Sequence, residues 1–138
     1  MISNEFHQPK WSPWYSLKKL TIEENIEENI PDDRSVYIIK AEASVGRVKG
    51  KSDIIYIGQG KLKARLYAIL GYFYGKSNEK IWPHTAKKEV FRLLSEEKKN
   101  LFVSYLITEK CKKLEKELLH QYEKDHIELP PLNKALPG

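Results

Sequence analysis

Ser35-Val36-Tyr37-Ile38-Ile39-Lys40-Ala41 and Asp53-Ile54-Ile55-Tyr56-Ile57-Gly58 are two β-branched runs, each with a tyrosine in its interior. Side chains branched at Cβ are stiff at χ1 and pack well on a pleated surface, so both runs read as adjacent strands. Between them, Glu42 to Ser52 carries Gly46 and Gly50 with Arg47, Lys49 and Lys51. That stretch is too polar and glycine-rich for a core and is expected to be a mobile basic loop.

Downstream the apolar period changes from two to between three and four. Leu62, Leu66, Ile69, Leu70 and Phe73 share one face of a helix expected over Lys61 to Tyr74. Pro83 suits the start of a second helix, where its missing amide costs nothing, and Val90, Phe91, Leu93 and Leu94 supply the buried side. Leu101 to Thr108 reads as a third strand, and Lys112 to about His126 as the last helix, closed by Leu129-Pro-Pro-Leu-Asn133. The order ββααβα implies a small α+β domain, a three-stranded and largely antiparallel sheet flanked by helices.

Upstream, residues 1–34 read as an extension packed on a domain spanning 35–138. Trp11, Pro13, Trp14 and Tyr15 form an aromatic cluster, expected either to tie the terminus to the core or to stack on bases. Thr21-Ile-Glu-Glu24 has capping-box spacing, and Ile22, Ile26 and Ile30 form the stripe of a short helix that Pro31 stops.

The chain has 138 residues and a net charge of +5, with −3 in residues 1–34 and +8 in the remainder. Positive charge gathered in the body favours an anionic partner, and nucleic acid is the commonest. Segment 61–92 holds eight basic residues against Glu79 and Glu89; Lys61, Lys63, Lys76, Lys87, Lys88 and Arg92 are its candidate phosphate contacts, beside Arg65 and Lys80. Tyr67, Tyr72 and Tyr74 interleave with them and suit packing or base stacking. One cysteine, Cys111, excludes an internal disulfide and a cysteine-rich zinc cage. No apolar run approaches the ~20 residues that span a bilayer, and Met1 to Lys10 lacks a signal peptide's apolar stretch. The expectation is a cytoplasmic protein of a reducing compartment with no membrane partner.

The last helix separates two carboxylates by angle. At about 100° per residue from Leu114, Leu118, Tyr122 and Leu119 fall near about 40°, 80° and 140°, with Glu115 near about 100° among them and Glu117 near about 300°. Glu115 is thus flanked by apolar side chains, where a charge needs a partner: a divalent metal, a lysine or Arg65. Glu117 faces water. His84, in Trp82-Pro83-His84, is either a surface residue at a helix start or a contributor to a site.

Taken in order, these features resemble the GIY-YIG nuclease family. Its first motif appears as Ser35-Val36-Tyr37 and its second is intact as Tyr56-Ile57-Gly58; a helix with Arg65 near its start follows, then Glu115-Lys-Glu-Leu118-Leu119 and Pro131-Leu132-Asn133. The resemblance spans residues 35–133. Ser35 stands where the family has glycine, and Arg65 lies one residue closer to Tyr56 than its pattern, which a shorter loop before the helix accommodates. The resemblance implies a metal-dependent DNA endonuclease. Tyr37 would be the general base or water-positioning group, Tyr56 would orient water or bind the phosphate, and Arg65 would grip the phosphate. Glu115 would hold one Mg²⁺ or Mn²⁺, His84 is a further catalytic candidate, and Gly58 and Asn133 support the site. Double-stranded or structured DNA is the implied partner, with a homodimer or a protein partner supplying specificity. The alternatives are a DNA-binding module on the same fold that does not cut, and an interaction or regulatory domain that docks through Trp11 and Trp14.

Overall fold

The two tyrosine-bearing runs pair as the antiparallel strands β2 (Arg34–Gly46) and β3 (Lys51–Lys61), with Tyr37 opposite Gly58 and Ile39 opposite Tyr56. A computed structural model describes residues 10–74 and 85–133. Both strands run further than their β-branched cores, so most of Glu42 to Ser52 is strand and only its tip, around Arg47 to Gly50, is a turn. The expected mobile loop is corrected accordingly: Val45 opposite Ser52 and Gly46 opposite Lys51 continue the pairing despite the polar composition. Glu128 clasps Arg47 at that tip at 3.0 Å.

Among the described residues the sheet has four strands rather than three, all pairs antiparallel, in the order β1-β4-β2-β3, where β1 is Tyr15–Ser16 and β4 is Leu101–Ile107. The fourth comes from the N-terminal segment. Two residues leave no period to read, and only their pairing with Val103 and Phe102 makes them a strand. Five helices accompany the sheet among the described residues: α1 (Leu17–Leu20), α2 (Glu23–Asn29), α3 (Leu62–Ile69), α4 (Lys87–Phe91) and α5 (Cys111–His126). The fold is therefore mixed α and β.

A bulge sets which side chains share a face. Ile39 pairs with Tyr56 but Lys40 pairs with Ile54, so Ile55 is an extra residue in β3. Ile55 and Tyr56 consequently enter the same core cluster as Tyr37, Leu62 and Leu66, while Ile54 and Ile57 face the opposite cluster built on Val36, Leu119 and Tyr122 of α5. Tyr56 itself shares the face of Tyr37 through the regular ladder, because Tyr37 lies opposite Gly58 and Ile39 opposite Tyr56; the insertion changes the faces of the residues before it, bringing Ile55 to the Tyr56 side.

The N-terminal segment departs from its expected details. Thr21 forms no capping box. It closes α1, its hydroxyl donating back to the Lys18 carbonyl at 2.6 Å, and the residue before α2 is Ile22, which has no cap hydrogen bond and is exposed. Trp11 and Trp14 stay 37% and 44% exposed, so they do not anchor the segment to the core. Leu17, Leu20, Ile26 and Ile30, all buried beside Tyr37 and Leu66, do so instead, with Tyr15 stacked on Tyr105. The helix expected over 61–74 breaks at Leu70 into a single 3-10 turn, Gly71–Phe73. Pro83 lies outside the described residues, and α4 runs on into a π turn, Arg92–Glu96. No helix among the described residues is long and apolar enough to cross a membrane.

Candidate functional site

Tyr37 points from the middle of β2 toward Gly58 across the ladder, and that glycine is what admits it. A Cβ on Gly58 would lie 2.4 Å from Tyr37 Cζ, 2.5 Å from its hydroxyl and 2.7 Å from Tyr56 Cε2. The bare strand surface lets both rings lie over it with centroids 6.0 Å apart. Gly60 repeats the device two residues on. Its φ is +134°, and a Cβ there would meet Arg65 Nε at 2.6 Å. Strand β3 ends at Lys61 and α3 begins at Leu62 with no residue between, and the guanidinium folds back over Gly60.

Glu115 approaches from α5. Cys111, in the first turn, is buried and its thiol lies 3.3 Å from Gln59 Oε1, which pins that turn against β3. Glu115 follows four residues later on the same side of the helix. It is half-buried while Glu117 is exposed, as the angular reading of α5 expected. Burial raises the Glu115 carboxyl above its ordinary range, and the charge of Arg65 opposes the rise. Among the described residues Glu115 makes no hydrogen bond or ion pair, so its expected alternatives of a lysine or direct Arg65 partner are not realised.

The two tyrosines form a chain of hydrogen bonds. Their hydrogen-bonding contact pushes the Tyr37 hydroxyl up and the Tyr56 hydroxyl down. Thr85 also stands in side-chain hydrogen-bonding contact with Tyr56 and lowers it. Burial holds Tyr37 well above 10, with the neighbouring Tyr56 and Glu115 adding to the rise and Arg65 opposing it. Tyr56 is raised chiefly by burial too, but it is the more accessible of the pair, at 9% exposed against 1%. Four side chains from β2, β3, α3 and α5 thus sense one another's charge.

No family model, curated protein or solved structure matches the chain. The functional reading therefore rests on the ordered residues and on this geometry.

Asn133 braces the site from behind. Its side-chain amide takes both backbone groups of Ile57, Nδ2 donating to the carbonyl at 2.9 Å and Oδ1 accepting the amide at 3.0 Å. Since β3 is an outer strand, this pair fills the hydrogen-bonding edge one residue from Gly58.

The basic candidates separate. Lys61 lies beside Arg65 in a shared cavity. Lys63 is paired with Glu27 of α2 at 3.2 Å, Arg92 is held by Glu89 at 2.8 Å and by Glu97, Lys87 sits 5.0 Å over the Tyr72 ring, and Lys88 is exposed on α4. Lys76, Lys80 and His84 lie outside the described residues. Tyr67 and Tyr74 pack edge to face and hold the N-terminal segment, Tyr67 donating to Glu27 and Tyr74 to the Leu20 carbonyl at 2.8 Å, so they are not a stacking platform. Gly60, Thr85, Arg34 and Lys112 escaped the sequence reading. Gly60 was legible, being two residues past Gly58 on the same face of a strand. Thr85 had no local signal at all.

Proposed function

We propose that the chain is a divalent-metal-dependent endonuclease that hydrolyses DNA phosphodiesters by water attack, with one active site per chain, as its resemblance to the GIY-YIG family implies. The observation that carries this reading is the meeting of Tyr37, Tyr56, Arg65 and Glu115 over two glycines that strip the strand of side chains. A packed core has no use for an unpaired carboxylate in an apolar arc.

The donor set fits a hard cation. Mg²⁺ keeps several waters and is commonly bound by one or two carboxylates together with substrate phosphates, which suits the single carboxylate of Glu115. Among the described residues no group of three or more His, Cys, Asp or Glu gathers as a structural zinc site requires. When bound, such an ion supplies Lewis-acid withdrawal of charge from the phosphoryl oxygens and the leaving alkoxide.

The protein groups divide the rest. Arg65 offers a planar fork matched to two phosphate oxygens. Tyr56, the more accessible of the two phenols and a side-chain hydrogen-bond neighbour of Tyr37 and Thr85, would orient water or bind a phosphate oxygen. Tyr37 is almost wholly buried and firmly protonated, which suits it to orient Tyr56; a general-base role needs added positive charge beside it to bring its pKa down. That same protonation favours a second reading, a module that binds DNA without cutting it.

Supercoiled plasmid incubated with the protein and Mg²⁺ separates the two. Nicking is expected, abolished by EDTA, and Glu115→Gln should bind DNA with near wild-type affinity yet leave the plasmid intact. Tight binding without cleavage by the wild type in Mg²⁺ and Mn²⁺ would select the binding module. Absence of binding would remove both readings.

A further inference from the structure

Arg34, Lys61, Arg65 and Lys112 line one cavity of about 540 Å³, between the start of α3 and the first turn of α5, with Gln59 and the bare Cα of Gly60 completing its wall. No carboxylate lines it among the described residues. Two of these placements are unfavourable by themselves. Arg34 and Lys61 are direct partners across β2 and β3, and like charges directly opposite destabilise a ladder. Lys112 occupies the first turn of α5, which contains no acidic residue, where the helix dipole disfavours a cation. None of the four heads is in an ion pair among the described residues, whereas Lys63, Arg92 and Arg47 each have a carboxylate partner. Uncompensated cations converging on one concave wall are matched by an anion.

We propose that this cavity binds a second backbone phosphate of the DNA strand being cut, adjacent to the scissile one, with Arg34 and Lys112 as phosphate-binding residues outside the sequence motifs. The proposal rests on the nuclease reading. Arg65 belongs to both places: it lines the cavity and faces Glu115 and the tyrosines, so a strand seated in the cavity is led to the catalytic groups.

Fluorescence anisotropy of a labelled duplex, titrated with the full chain across a salt series, tests it. Arg34→Ala/Lys112→Ala should bind about tenfold more weakly at low salt, and its log–log salt slope should fall by about two, one for each cation removed. Arg34→Lys/Lys112→Arg keeps the charges and should stay near wild type, as should Lys124→Ala at the far end of α5. Because the alanine variant removes an opposed like-charge pair, its melting temperature should be no lower than wild type, which excludes unfolding as the cause. Duplexes with and without a 5′-phosphate should bind equally; a preference for the phosphorylated end that the double variant loses would assign the cavity to a terminal phosphate and overturn the backbone assignment. Wild type that nicks DNA while the double variant keeps its affinity and slope overturns the subsite alone. Wild type that neither binds nor nicks DNA overturns the nuclease reading and the subsite with it.

Discussion

Glu115 carries the sharpest consequence of a single residue's surroundings. Its carboxyl is raised by burial, so between the ordinary value of 4.5 and the higher folded value the native state binds more protons than the unfolded chain. Stability linked to this group is therefore fully present below the ordinary value and is lost as pH rises through the folded one. Glu115→Gln removes the buried charge and should melt higher than wild type at pH 7, the difference vanishing in acid below about pH 4. A thermal melting series against pH checks this, and a variant melting lower at pH 7 would show that the carboxylate is stabilised by a partner. In the same assay Mg²⁺ should raise the melting temperature of the wild type and leave the variant unchanged, because a ligand stabilises only the state that binds it.

Among the elements, β3 is the one that needs bracing. It is an outer strand, it contains a bulge at Ile55, and two of its last four residues are glycines, which weaken a strand interior. Asn133 compensates by closing both backbone groups of Ile57, and Leu132 adds a bond from its amide to the Ile55 carbonyl at 2.9 Å. Asn133→Ala should cost about 1–3 kcal/mol, since it leaves two partly buried backbone groups without partners. Urea unfolding measures the loss, and the Ile57 amide should exchange with deuterium faster than in wild type. Unchanged exchange would mean that another group closes this edge.

Across the whole molecule, the acidic N-terminal segment and the basic body are held together by packing and charge. Leu17 and Leu20 sit in the same cluster as Tyr37 and Leu66, and Glu27 of α2 takes Lys63 of α3, the start of which also receives Asp32 Oδ1 at the Ala64 amide, 3.3 Å away. Because this surface is continuous with the core behind the candidate site, damage to it should propagate. Leu17→Ala, at a side chain with no exposure, is expected to cost about 2–5 kcal/mol in a single cooperative transition seen alike by tryptophan fluorescence and circular dichroism. A loss under about 1 kcal/mol, or two separate transitions, would mean that the segment docks weakly on a body stable without it.

What the amino-acid order determined alone was whatever depends on near neighbours. The β-branched runs at 35–41 and 53–58 became strands, and the arc of Leu114, Leu118 and Tyr122 placed Glu115 inward and Glu117 outward, because periods of two and 3.6 are written within a few residues. The tertiary structure decided everything set by partners distant in the chain. Tyr15–Ser16 is a strand only through Val103 and Phe102, the bulge at Ile55 brings that residue to the Tyr56 side of β3, and Thr85 reaches Tyr56 from beyond α3. It also sorted cations that look alike in sequence, since a lysine's availability depends on whether a carboxylate stands opposite it in space, as Glu27 does for Lys63 and none among the described residues does for Lys112. Charge and pairing act through distance in three dimensions, which local periodicity does not encode.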